Sequence, residues 1–474
     1  MRFSLLALAL SLPCSDALAE LRLPALVSDG MVLQQESDAR IWGWANAGET
    51  VEVSASWGES AVPLSATANS DGRWSIELDT PTASGPHTVT ISTTEESISV
   101  SNILIGEVWL CSGQSNMAMP VEGFKSQPVE GSQEAIINSR DDSLRLFPMK
   151  VQLAAEPAED VTGTWQSATP ESVSRFSAVG YFFGEKLRGT LDVPVGLILA
   201  ARSSSAIESW LPSAAIKEFP PEDLIEQDPK IPHRAHSSLY NGMIAPISDY
   251  AIRGVLWYQG EGNRHHPLPY AKLLPSLIEN WRQSFQSPEL PFYFAQIAPN
   301  VERFNELTEQ QDRAAFLRET QFQTAKNLPH TGMVVTLDIG SPHTIHPPKK
   351  REVADRFAYF ALRELYGYTS IGASGPVFER VTFEDDTAIL HFTGMAKGFL
   401  NYEVPLEQFT IAGSDRVFHP ATAVCKRDGT VHVSSDQVQD PVAVRYAWKN
   451  WTEASLFDSA GLPASSFRTD QWSW

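Results

Sequence analysis

Cysteine is scarce. Three in 474 residues cannot staple a fold, and one of them, Cys14, falls in the leading stretch described below. Of the other two, Cys111 follows an apolar run, where a thiol packs as a small hydrophobic group rather than bridges. Histidine and cysteine do not recur at metal-ligand spacing, so neither a metal nor another cofactor is expected. Positive charge is also short: 36 Lys and Arg against 57 Asp and Glu leave a formal net charge of −21. Long-range repulsion from phosphate and from anionic lipid then excludes nucleic acid and membrane surfaces as main partners. A neutral sugar is not excluded, and a local basic pocket could still take an acidic one.

The apolar run at 5–12 is too short to span a bilayer. Arg2 precedes it and Ala17-Leu18-Ala19 supplies a small-x-small cleavage site, so 1–19 reads as a signal peptide cut after Ala19. Ser11-Leu12-Pro13-Cys14 lacks the small residue expected before a lipidated cysteine. The mature chain is expected to be secreted or periplasmic.

What is present is ordinary globular composition, 42% hydrophobic and 20% charged, in a chain long enough for two or three domains. Residues 20–101 alternate apolar and polar positions in short runs, as in Ala39-Arg40-Ile41-Trp42-Gly43-Trp44, with a turn signal at Asn69-Ser70-Asp71-Gly72. That is the pattern of a small β-sandwich. Trp42, Trp44, Trp57 and Trp74 are either core filling or a sugar-stacking platform, core filling being the commoner use. From 102 to 370 near-continuous apolar strands (103–110, 195–200, 253–259, 291–297 and 333–339) alternate with amphipathic helices. One helix carries Phe176, Val179, Phe183 and Leu187, another Leu273, Leu277, Ile278 and Trp281, and a third Val353, Phe357, Ala361 and Leu365. Such alternation predicts an α/β domain with a parallel sheet covered on both faces and a site beyond the carboxyl ends of its strands. Residues 371–474 return to β texture, with a hairpin at Glu384-Asp385-Asp386-Thr387.

Within this plan Val108-Trp109-Leu110-Cys111-Ser112-Gly113-Gln114-Ser115-Asn116 turns from strand to small polar residues. A hydroxyl there is held out of the core yet away from bulk water. Gly113 permits a sharp turn and leaves room for a substrate carbonyl. The α/β-hydrolase elbow Gly-x-Ser-x-Gly is not met, because Met117 stands at the second glycine. Ser115 needs a base, and His346, past the last strand and before a helix, is the best-placed histidine.

Gly106-Glu107-Val108-Trp109 with Gly113-Gln114-Ser115-Asn116-Met117 resembles the first block of the sialate O-acetylesterase family, within the SGNH hydrolases. Trp257-Tyr258-Gln259-Gly260-Glu261-Gly262-Asn263 is similar to its third block and Ile345-His346-Pro347 to its last. Further similarity runs through Leu239 to Met243, Leu317 to Gln321 and the closing Gly461 to Asp470. The resemblance implies an SGNH-type α/β/α domain at 102–370 between two β modules. It also implies metal-free hydrolysis of acetyl esters on sugars, with Ser115 attacking and His346 taking its proton. The acetylated carbohydrate, from sialic acid or from a polysaccharide, is the expected partner.

The oxyanion would be met by the Ser115 N–H, by a donor from the second block and by Asn263 or Gln259 of the third. Where the family has Gly-Gly-Thr, this chain has Ser203-Ser204-Ser205. Ser204 still offers an N–H, but its Cβ can crowd the substrate or resist a dihedral that glycine takes freely. Gln114, Asn116 and Arg318 are expected on the substrate, although an arginine beside Glu319 more often locks a loop by an ion pair. The loop before His346 has no carboxylate. Asp338, eight residues before it, is the one nearby acid; without it the pair is a Ser–His dyad, the preferred reading. The two departures, at Ser203–Ser205 and before His346, also raise a rival: a non-catalytic glycan-binding protein on a hydrolase scaffold.

Overall fold

The computed structural model describes residues 20–57, 63–301, 312–395 and 397–472; the predicted signal peptide at 1–19 lies outside them. Strands β1 (Val32–Gln34), β2 (Asp38–Trp44), β3 (Thr50–Ala55), β4 (Leu64–Thr67), β5 (Arg73–Asp79) and β6 (Ser84–Ser92) form the N-terminal β region. Strict alternation in β5, where Trp74, Ile76 and Leu78 are buried between exposed neighbours, sets its inward face. Trp42 and Trp74 are core residues at 0% and 2% exposure, so they form no sugar platform.

Strand β7 (Ser97–Gly113) leads out of this region and continues into the α/β sheet without a break. Its first part pairs with β6 and β1, its second with β10 and β11. The expected boundary at 101/102 therefore falls inside one strand. The remaining strands here are β8 (Asp141–Pro148), β9 (Gln166–Ala168), β10 (Val195–Ala201), β11 (Gly254–Tyr258), β12 (Phe292–Ala295) and β13 (Thr331–Val334). They run in the order β13-β12-β11-β7-β10-β8-β9. Every pair is parallel except β8 with β9. The chain builds one side of β7 through β8 and β10, then crosses to build the other through β11, β12 and β13. Strand order thus reverses at β7, the place where open α/β sheets bind ligands.

Alternation along β7 makes the three layers. Val108 and Leu110 face a core shared with Leu273, Leu277, Trp281 and Leu317. Trp109 and Cys111 face the opposite core, with Val179, Phe183, Val353 and Phe357. The helices Pro267–Ser284 and Arg313–Asn327 cover the first face, Ala178–Leu191 and Lys350–Leu365 the second. With both faces covered, the central strands need unbroken apolar sequence. β8, absent from the expected strands, opens on Asp141-Asp142-Ser143 near the sheet edge and lacks that signature. β13 stops at Val334, short of the expected 339, and a turn closed by Ile339 N–H on Thr336 O follows.

Beyond the helix Lys350–Leu365 come two antiparallel sheets of five and four strands around Leu390, Ile411, Val431, Val433, Val444 and Phe467. The expected hairpin joins Val377–Glu384 to Thr387–Thr393. No helix of the described residues is long and apolar enough to cross a membrane.

Candidate active site

At the end of β7 the chain is pressed against β11. Gly113 has φ +133°, and a Cβ there would lie 2.2 Å from Tyr258 O. The space expected for a substrate carbonyl is thus taken by the neighbouring strand's own carbonyl, which also accepts the Gln114 N–H at 2.9 Å. This contact ends the strand and starts the short helix Ser115–Ala118. Ser115 is its first residue, and the first N–H of a helix has no intrahelical acceptor. Gln114, expected on the substrate, is 3% exposed and turns inward. Its Oε1 accepts the Gly262 N–H at 3.0 Å and braces the turn after β11.

His346 reaches the serine. The Ser115 hydroxyl lies 2.8 Å from His346 Nε2, although 231 residues separate the two. On the other side of the ring Nδ1 stands 2.5 Å from Gln127 Oε1. An amide oxygen only accepts, so Nδ1 carries the proton and Nε2 is left with its lone pair toward Ser115. Gln127 is fixed by reciprocal backbone bonds with Phe124, Phe124 N–H to Gln127 O at 3.0 Å and Gln127 N–H to Phe124 O at 2.9 Å. The Phe124 ring also meets the imidazole edge-on, with centroids 5.3 Å apart. Thr344 Oγ1 accepts the His346 N–H at 3.0 Å. Asp338 is elsewhere: its carboxylate takes both ends of the Arg356 guanidinium, at 2.8 and 2.5 Å. An arginine nearly two turns inside Lys350–Leu365 outcompetes a loop that would have to fold back. Burial, and after it the charge of Lys350, hold the His346 pKa down to about 4.

Asn116, the other expected substrate contact, is wholly buried. Its Nδ2 donates to Glu261 Oε1 at 2.6 Å and to Ile345 O at 3.1 Å, and its Oδ1 accepts from Lys350 Nζ at 2.5 Å. One amide therefore joins the residue after Ser115 to the residue before His346. Both hydrogens are used, leaving none for substrate.

Beyond β10 and β11 lie the expected oxyanion donors. The Arg202 N–H bonds to Gly113 O at 3.0 Å, which brings the Ser203–Ser205 loop beside the serine. Ser204 has φ +61°, a left-handed conformation that glycine takes without cost and other residues at about 1–2 kcal/mol. Gln259 is not a free donor: its Nε2 gives hydrogens to Ser205 O at 3.2 Å and Asn263 Oδ1 at 2.9 Å. Asn263 is oriented by its neighbours. Oδ1 also accepts the Ile207 N–H at 2.9 Å, and Nδ2 donates one hydrogen to Glu208 Oε2 at 2.9 Å, leaving the second.

The model of the family described as "Carbohydrate esterase, sialic acid-specific acetylesterase" matches residues 105–345. Sialate O-acetylesterases of Pongo abelii and Homo sapiens are each 30% identical, over 95% of this chain and 93% of theirs. The chain belongs to this esterase family. A crystal structure of a carbohydrate acetylesterase from Xanthomonas citri superposes with TM-score 0.87 at 33% identity, over 95% of this chain and 100% of that one.

Two features of this esterase escape the family pattern as read from sequence. Arg318 is not in the site. It is fully buried and donates to Lys449 O at 2.6 Å, Ala447 O at 3.3 Å and Ser466 Oγ at 3.1 Å, tying its helix to the C-terminal β region. Nor does it pair with Glu319, which bonds Arg468 at 2.9 and 3.0 Å. Gln127, Glu208, Glu261 and Lys350 are the residues sequence reading missed. Gln127 carries no charge and sits in an irregular loop, so nothing marked it. Glu261 and Glu208 lie inside or beside matched blocks, and a carboxylate at those positions was the available signal.

Proposed function

We propose that this carbohydrate esterase removes O-acetyl groups from sugars through an acetyl-enzyme on Ser115, with His346 carrying the proton. The observation that carries the reading is the 2.8 Å contact of Ser115 Oγ with a His346 Nε2 whose tautomer is set from behind by Gln127. In the first half, Oγ attacks the acetyl carbon while its proton passes to Nε2; the bond to the sugar oxygen then breaks and that oxygen takes the proton. In the second half, water loses a proton to Nε2 and attacks the acetyl carbon, and acetate leaves as Oγ is reprotonated. The negative oxygen of each tetrahedral stage would be met by the Ser115 N–H, the Ser204 N–H and the second Nδ2 hydrogen of Asn263. Gln259 supports Asn263 rather than the substrate.

No carboxylate on Nδ1 balances the imidazolium; the Gln127 carbonyl dipole does so more weakly. The substrate is an acetylated sugar, either an O-acetylated sialic acid, as named for the mammalian relatives, or a polysaccharide acetyl ester. A signal-like 1–19 supports work outside the cytoplasm. The rival of a sugar-binding protein without chemistry is disfavoured by the preserved Ser115–His346 contact and by relatives that are named as esterases.

Rapid quench with a chromogenic acetyl ester, then peptide mass analysis, tests the intermediate. One acetyl group on the peptide holding Ser115 is expected; acetyl transfer to another residue refutes the assignment. Acetate release from O-acetylated sialic acid and from acetylated polysaccharides then separates the two substrate classes.

A further inference from the structure

Lys350 is an odd residue for its place. It has no exposed surface, and it opens the helix Lys350–Leu365, where the positive end of the helix dipole opposes a cation. Its ammonium has one hydrogen-bond acceptor among the described residues, Asn116 Oδ1 at 2.5 Å. The groups facing it come from each surrounding element. The ring of Tyr258 at the end of β11 has its centroid 5.6 Å from Nζ. Glu261 in the following turn acts on it by charge and shares the Asn116 amide with it, with no direct hydrogen bond between the two. His346 stands in the loop just before the helix. A buried cation with no direct ion pair is costly and persists only where surrounding groups hold it.

The order Lys350 to Asn116 to Glu261 is a cation and an anion joined across one amide, and the second amide hydrogen holds Ile345 O. Lys350 therefore fixes which way round Asn116 stands. We propose that Lys350 is a positioning residue: through Asn116 it locks the serine and histidine segments in register and holds a buried cation behind the loop that carries His346. Two further facts fit. Burial lowers the Lys350 pKa to about 7, with Glu261 opposing the fall, and the Lys350 charge is the electrostatic influence on His346 after burial.

The inference rests on the Ser115–His346 reading, and its test is separable from it. That reading fails if Ser115→Ala keeps its activity; the present one is read without turnover, from ring-nitrogen signals of 15N-labelled histidine in the full chain, assigned with His346→Gln. In the native protein a small displacement of the His346 signals near neutral pH is expected, distinct from its own protonation at lower pH. In folded Lys350→Met the neutral displacement disappears and the protonation midpoint rises by about one pH unit, with the acid limb of kcat/KM following it. An unmoved midpoint in the folded variant overturns the proposal. If Lys350→Met does not fold, the native titration decides, and absence of the neutral displacement overturns it equally.

Discussion

Gln127 Oε1 stands 2.5 Å from His346 Nδ1, on the side of the imidazole where a serine hydrolase usually keeps a carboxylate. A neutral acceptor fixes the ring and its tautomer but lends little to the imidazolium. Its removal should therefore cost orientation rather than charge stabilisation. Gln127→Ala is expected to lower kcat/KM about 10- to 100-fold, the equivalent of about 1.4–2.8 kcal/mol, with KM little changed. Steady-state kinetics on an acetyl ester checks this, and a change under threefold would remove Gln127 from the account.

Asp338 makes the complementary case. Because its carboxylate is occupied by Arg356, Asp338→Asn is expected to keep activity within about threefold while losing about 2 kcal/mol of stability from a part-buried pair. A fall of about ten-thousandfold, the loss seen for a true triad acid, would put Asp338 back beside the histidine. Thermal unfolding and kcat/KM measured on the same preparation separate the two outcomes.

The pH profile follows from the histidine's surroundings. His346 must be neutral to accept the serine proton, and its pKa is held down to about 4 from the usual 6.5. A depressed pKa moves the loss of base downward, so kcat/KM should stay level as pH falls through 6.5 and drop only near pH 4. Gln127→Glu places an anion on Nδ1 and should move that limb to higher pH. A native limb near 6.5 would mean that the imidazole is not desolvated as described.

Arg318 should matter to stability and not to chemistry. It crosses from the helix Arg313–Asn327 to carbonyls at Ala447 and Lys449, and burial brings its pKa down to about 10. Arg318→Met leaves those carbonyls without a donor. We expect a loss of about 3 kcal/mol, seen as a lower Tm, with kcat/KM of the folded enzyme unchanged. A selective rise in KM for acidic over neutral sugars would restore its substrate role.

What the sequence made legible is the scaffold and the Ser115–His346 pair. Apolar strands spaced by amphipathic helices specify a covered parallel sheet, and a serine just past such a strand lies at the edge where sites form. His346 was legible through its short block and its place before a helix. Less legible was the direction of each neighbouring side chain. Gln114 and Asn116 flank Ser115 in sequence, yet the turn after Gly113 points both inward, onto Gly262 and onto Glu261 with Lys350. Arg318 and Asp338 are polar residues near motif blocks, and only the packing of distant segments decides that they serve structure. Gln127 was hidden for the opposite reason. A neutral amide in a loop gives no periodicity, no charge and no spacing to read.

The Ser115→Ala variant tests the central claim most directly. With its fold verified by circular dichroism, its kcat/KM on a chromogenic acetyl ester should fall by at least about ten-thousandfold, as for loss of the nucleophile in a serine hydrolase. Activity within tenfold of the native enzyme would contradict the account, because the chemistry would then run without the hydroxyl that His346 holds.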